Sequence, residues 1–175
     1  MFFVQMSGFP GSGKSTLALE IAGRTGAIIV DHDISKTALL ESTREVEIAE
    51  KLLGKISYSM DWASIEFYLS QGKSVIFDSP CLYEEMIIKG TSLAKEYKVP
   101  YKYVECYLDD FDEVNSRLKY RISRMSQIKE VKSVENFQYT IKNSKKPGNH
   151  PYLVVDSSKP IDTYIDGVMD YLLDN

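Results

Sequence analysis

The sequence predicts an α/β fold, a three-layer sandwich in which a five-stranded parallel sheet carries helices on both faces. Three observations predict it. Short apolar runs of strand length alternate along the chain with longer stretches of helical period. The runs are nearly continuous, as in Ala27-Ile28-Ile29-Val30, which is how strands covered on both faces read. Between the first run and the first helical stretch lies Gly8-Phe9-Pro10-Gly11-Ser12-Gly13-Lys14-Ser15-Thr16, which matches the phosphate-loop pattern G-x-x-x-x-G-K-[ST] in full.

The elements follow in order. Phe2 to Met6 is a short buried strand, and Leu17 to Arg24 is the first helix, with Gly26 placed to end it. Gly26 to Val30 is the second strand, ending at Asp31-His32-Asp33. From Ile34 to Gln71 only helices are expected. Thr37 to Leu53 carries one, Gly54 breaks it, and Asp61 caps the next. Ser74 to Asp78 is the third strand and Glu84 to Tyr97 a helix. Tyr101 to Leu108 is the fourth strand, followed by a helix capped by Asp109 or Asp110. Tyr152 to Val155 is the fifth. Pro160 to Leu173 is a last helix whose Ile161, Tyr164, Ile165, Val168, Met169 and Leu172 share one face. With the phosphate loop between strand and helix, the whole is a P-loop NTPase-like fold.

The bulk composition bounds the function. A chain of 175 residues, 43% hydrophobic and 26% charged, is one folded domain, 1–175, rather than a disordered segment. A net charge of −4 argues against a general nucleic-acid coat. Cys81 and Cys106 lack metal-ligand spacing and read as reduced thiols of a cytoplasmic protein. No targeting segment and no membrane-spanning run is expected.

The phosphate loop carries the first chemistry. Its glycines bring backbone N–H groups against phosphate oxygens, and the following helix adds its free N-terminal amides. Gly11, Ser12, Gly13, Lys14, Ser15 and Thr16 are the expected ATP-binding residues. Lys14 serves the β- and γ-phosphates, Ser15 is a hydroxyl ligand for Mg²⁺, and Thr16 reaches the α-phosphate. Asp78, at the end of an apolar strand, is the second expected Mg²⁺ partner, in the manner of a Walker B carboxylate.

Asp33 sits at the ligand end of a strand and is read as the base for an acceptor hydroxyl. It also fits a helix N-cap, and Asp31 is the other candidate base. His32 reads as structural or exposed. The basic run from Arg117 to Lys132 places Arg117, Arg121 and Arg124 at i, i+4 and i+7, so one helical face would present three guanidinium groups. Arg117 and Arg121 are expected in a lid over ATP, spanning about 117–132, where they would stabilise transferring charge. Lys119, Lys129 and Lys132 read as a solvated face. The helices of about 34–71 are the expected acceptor-binding region. Arg44 is a further candidate there for an anionic group on the acceptor. Tyr58, Trp62, Phe67 and Tyr68 fit either a pocket wall or core. His150-Pro151 and Asp156-Ser157-Ser158 are candidates to flank adenine. Lys142, Lys145 and Lys146 read as exposed.

Four segments, in order, resemble the small P-loop kinases and AAA-type ATP-binding proteins related to polynucleotide kinase, chloramphenicol phosphotransferase and the zeta toxins. They are the loop Gly8 to Thr16; Asp33-Ile34-Ser35-Lys36; Gly72-Lys73-Ser74-Val75-Ile76-Phe77-Asp78; and Arg117-Leu118-Lys119-Tyr120-Arg121. The resemblance implies Asp33 as general base, Lys14 and Ser15 on ATP and Mg²⁺, and Arg117 and Arg121 in the lid. One departure matters. Polynucleotide kinases commonly carry Arg three residues after the base, and Lys36 stands there instead, keeping the charge without the bidentate fork. A nucleic-acid end is therefore not the favoured acceptor. The expected activity is transfer of the γ-phosphoryl group of Mg-ATP to a hydroxyl of a small molecule or nucleotide. The alternative is an ATP-binding or ATPase module acting as a switch with no acceptor.

Overall fold

A computed structural model describes residues 1–174. Five strands, β1 (Phe3–Ser7), β2 (Ile28–Asp31), β3 (Val75–Asp78), β4 (Tyr101–Tyr107) and β5 (Leu153–Asp156), form one sheet in the order β2-β3-β1-β4-β5. Every pairing is parallel. The helices are α1 (Lys14–Thr25), α2 (His32–Ser42), α3 (Glu50–Ser70), α4 (Glu84–Glu96), α5 (Phe111–Tyr120), α6 (Val134–Lys142) and α7 (Ile165–Leu173), the last preceded by a 3₁₀ turn at Ile161–Thr163.

Alternation along β1 builds both faces. Phe3 points to a core shared with Trp62, Ile65 and Leu69 of α3 and with Met86, Ile87 and Leu93 of α4. Val4 and Met6 point the other way, to Leu17, Ala18 and Ile21 of α1 and Ile165, Val168 and Leu172 of α7. A smaller apolar cluster of Leu108, Val114, Leu118 and Phe137, flanked by Phe9, holds α5 and α6 against the phosphate loop. Because the chain leaves β1 for β2 and returns to β3 between them, the strand order reverses beside β1. The carboxyl ends of β1, β2 and β3 therefore open one crevice.

The structure corrects several expectations. The helix expected over 37–53 stops at Ser42 and a new one starts at Glu50. Val46, in the connection, is 62% exposed, so continuing the helix would bury little there. Gly54 breaks nothing. It lies inside the 21-residue α3, where its cost of about 1 kcal/mol relative to alanine is offset by burial of Leu53, Trp62, Ile65 and Leu69 along the same helix. Asp61 caps no helix and is buried within α3. Arg117, Arg121 and Arg124 do not share a helical face, because α5 ends at Tyr120 and Arg121 turns to an extended backbone. The chain also holds a helix not expected, α6. Its signal was Ser133, whose side chain caps Asn136 N–H at 3.1 Å, and the i, i+4 pair Phe137 and Ile141. Asp110, not Asp109, caps α5, and Pro160 precedes the 3₁₀ turn rather than a continuous helix.

Cys81 and Cys106 are free and buried. Burial pushes both thiols up to about 12. Among the described residues no helix is long and apolar enough to cross a membrane.

Candidate active site

The phosphate loop joins the end of β1 to the start of α1. Gly8, Gly11 and Gly13 adopt φ of 134°, 87° and 88°, values that L side chains rarely take. Space forbids a side chain as well. A Cβ on Gly8 would overlap the Cys106 carbonyl oxygen and stand 2.6 Å from Ser12 Oγ, and one on Gly11 would press on Leu118 at 3.3 Å. Gly8→Ala is therefore expected to lower stability by about 2–4 kcal/mol, from strain and overlap together. Urea denaturation checks it, and an unchanged midpoint would mean the loop is looser than its geometry.

Gly13 is the N-cap of α1 and provides no side-chain cap, so the first amides of the helix face the crevice without an intrahelical partner. Lys14 is buried. Its Nζ donates to the Phe9 carbonyl at 3.1 Å. Burial lowers the Lys14 pKa, while the charges of Asp78 and Asp33 oppose that shift and Arg121 adds to it. Ser15 and Thr16 are exposed at the crevice mouth, and Ser12 is buried with its hydroxyl unpartnered.

The carboxylates come from two adjacent strands. Asp31 and Asp78 are cross-strand neighbours at the ends of β2 and β3. Burial holds the Asp78 carboxyl above the usual range, against Lys14 and the Ser15 hydroxyl, which pull it down. Burial also raises Asp31, and Asp78 adds to it. Both shifts come first from burial, with neighbouring carboxylates, Asp33 among them, adding to each. The Ser15 hydroxyl and the Asp78 carboxylate stand together as hard oxygen donors, the ligand type that suits Mg²⁺. Among the described residues no group of three His, Cys, Asp or Glu would hold a metal unaided.

Asp31 Oδ1 accepts from Asp33 N–H at 2.8 Å and caps α2. Both Asp31 and Asp33 line the crevice. His32, read as structural or exposed, is buried. Its Nδ1 lies 2.7 Å from Asp61 Oδ2, and its ring stacks on Tyr58 with centroids 3.8 Å apart. This pair ties the turn that carries Asp33 to the middle of α3. Asp61→Ala should lower stability by about 3 kcal/mol, because it strips a buried imidazole of its partner. Thermal unfolding measures that, and a loss under 1 kcal/mol would make the pair incidental.

Arg117 and Arg121 reach the crevice from α5 and its end. Arg117 is held by Glu113 at 2.7 Å and by the Ser157 carbonyl at 3.0 Å, with Nη1 3.8 Å from where a Gly13 Cβ would stand. Arg121 donates to the Ile128 carbonyl at 2.7 Å, while its buried Nε–H has no partner. Burial lowers the Arg121 pKa and the Asp33 charge opposes that. Arg124 is exposed, as are Lys119, Lys129 and Lys132.

The remaining candidates divide. Lys36 and Tyr58 line the cleft, whereas Trp62 is core and Arg44 is exposed away from the lining. Phe67 is exposed and Tyr68 packs on the core. Ser157 lines the cleft, but His150 packs on Tyr101 at the opposite end of the sheet. Lys146 pairs with the buried Glu105 carboxylate at 3.1 Å. Residues whose contribution the sequence did not signal are Glu113, one helical turn from the Arg117 it holds, and Ser157, Ser126 and Gln127, which hold Arg117 or Asp33 from far along the chain. The cleft encloses about 1990 Å³. Single small-molecule sites are roughly 300–1,000 Å³, so there is room for two substrates side by side.

Comparison with known proteins places this geometry. A family model described as an AAA domain matches residues 3–135. No curated protein sequence matches significantly. Among solved structures, a candidate kinase from Chloroflexus aurantiacus J-10-fl superposes with a TM-score of 0.76 at 17% identity, covering 98% of each chain. A gluconokinase from Sinorhizobium meliloti 1021 gives 0.62 at 15%, covering 98% of this chain and 91% of that one. Kti12 of Chaetomium thermophilum, solved with ADP-AlF3, gives 0.64 at 16%, covering 97% and 98%. At such identities the likeness is one of fold, that of the small P-loop kinases.

Proposed function

We propose that this chain, which belongs to the AAA-domain family and has the fold of the small P-loop kinases, transfers the γ-phosphoryl group of Mg-ATP to a hydroxyl of a small molecule or nucleotide. The observation that carries the proposal is the meeting in one cleft of a phosphate loop with its lysine and the Asp33 carboxylate, whose charge acts on both Lys14 and Arg121. A nucleotide-binding module without an acceptor has no need of that second group.

The roles follow from placement. The amides of Gly11 to Thr16 hold the triphosphate, and Lys14 leaves the Phe9 carbonyl for the β- and γ-oxygens. Mg²⁺, held through Ser15 and Asp78, would supply charge neutralisation across the β- and γ-phosphates. Asp33 receives the acceptor's hydroxyl proton as its oxygen attacks the γ-phosphorus and the bond to the bridging oxygen of ADP breaks. The transition state of phosphoryl transfer is loose, so orientation matters more for this carboxylate than basicity. Arg121, with a spare buried N–H, and Arg117, beside Gly13, donate to oxygens that gain charge. The 117–132 segment acts as lid and the 34–71 helices as acceptor wall. A soluble cytoplasmic setting suits ATP and the reduced thiols.

That fold neighbours include a gluconokinase, an APS kinase and a deoxyadenosine kinase supports a phosphotransferase reading. A panel of sugars, nucleosides, aminoglycosides and oligonucleotide ends, with labelled ATP, tests the proposal. At least one compound should become labelled and raise ADP release above the rate with water alone. Uniform basal ADP release across the panel would favour the acceptor-free ATPase instead.

A further inference from the structure

The Asp33 carboxylate is not alone in the cleft. Its Oδ2 accepts from Gln127 Nε2 at 2.7 Å, across 94 residues of sequence. The orientation of that amide is set from its other end, where Gln127 Oε1 accepts from Arg124 N–H at 3.0 Å. A backbone N–H needs the oxygen, so the NH₂ end must face Asp33. A second tie lies beside the first. Ser126 Oγ is 2.9 Å from Thr37 Oγ1 and 3.1 Å from the Asp33 carbonyl. Asp33 Oδ1 has only that hydroxyl near it, at 3.4 Å, and the hydroxyl has nearer partners. One carboxylate oxygen is thus pinned and the other is left to face the cleft. The segment that does the pinning also carries Arg121, whose guanidinium closes on the Ile128 carbonyl, one residue past Gln127.

We infer that Gln127 is a positioning residue for the base: its amide holds one oxygen of Asp33 so that the other meets the acceptor hydroxyl. Because Arg121 and Gln127 share a short closed loop, seating that loop over nucleotide and orienting the base are a single event. This rests on Asp33 being the base, as proposed above. A charge-assisted hydrogen bond at 2.7 Å is strong enough to fix a carboxylate rotamer, and phosphoryl transfer is sensitive to such placement.

The test uses the full chain with Mg-ATP and water as acceptor, following ADP release, and measures Mg-ATP affinity separately by calorimetry. Gln127→Ala should lower turnover about tenfold with affinity unchanged, a modest share of what misplacing a catalytic group can cost. Gln127→Glu keeps the shape without the donor and should lose at least as much, whereas a packing role would let it retain activity. Asp33→Asn/Gln127→Ala should be no slower than Asp33→Asn alone, since one acts through the other. Deuterium exchange gives a readout independent of turnover: the 124–128 amides should exchange faster in both Gln127→Ala and Asp33→Ala. Wild-type turnover in Gln127→Ala, losses that multiply in the double variant, or unchanged exchange in both single variants would overturn the inference. Wild-type turnover in Asp33→Asn with exchange still faster in Gln127→Ala is a different result: it removes Asp33 as base and reduces the tie to a structural one.

Discussion

Asp33→Asn is expected to slow phosphoryl transfer to the acceptor by about 10²–10⁴-fold, the usual range for loss of a general base. Mg-ATP affinity should stay within about twofold. The reason for the split is geometric. Asp33 stands at the start of α2, while the phosphate loop belongs to β1 and α1. Asparagine keeps the size and still accepts from Gln127, so the fold and the lid contact survive while the proton acceptor is lost. Asp31 has one oxygen engaged by the Asp33 N–H as the cap of α2, so Asp31→Asn in parallel measures its share. Product formation on the acceptor found by the panel, together with calorimetry on the same preparation, decides it. Full turnover in the variant would rule Asp33 out.

Lys14→Ala should act on the other substrate. Its ammonium is buried among the charges of Asp33 and Asp78 and rests on a backbone carbonyl, poised for phosphate. Loss of a charge-assisted contact in a water-poor site is worth roughly 1.5–3 kcal/mol. Mg-ATP affinity should therefore fall by about ten- to a hundredfold, and turnover should fall with it. Thermal shift gives a second readout. Ligand that binds only the folded chain raises its melting temperature. Saturating Mg-ATP should stabilise the wild type and barely move Lys14→Ala. Equal shifts in both would mean that the triphosphate lies elsewhere.

Legibility was uneven, and the unevenness has causes. The order of strands and helices was readable because apolar runs and glycine turns are local signals. The errors fell between Thr37 and Asp61, where every segment has helical period and the boundaries depend on what each side chain meets. Val46 fits a helix on paper and meets only solvent. Asp61 looks like a cap and meets His32. The arginine stripe failed for a related reason: spacing of i, i+4 and i+7 means one face only if the helix continues, and this one stops at Tyr120.

By itself the sequence determined where the phosphate loop lies and how its backbone turns. Residues from Gly8 to Thr16 are contiguous, their glycines are demanded by backbone geometry, and strand and helix flank them, so pattern and physics coincide within a few residues. Only the tertiary structure decided what surrounds Asp33. It set which of two aspartates is spent on capping, which arginine keeps a free N–H, and that Gln127 holds Asp33. The decisive ties are long-range: Arg117 meets Ser157 across 40 positions and Gln127 meets Asp33 across 94. No local pattern encodes a hydrogen bond whose two ends meet only after the sheet has formed.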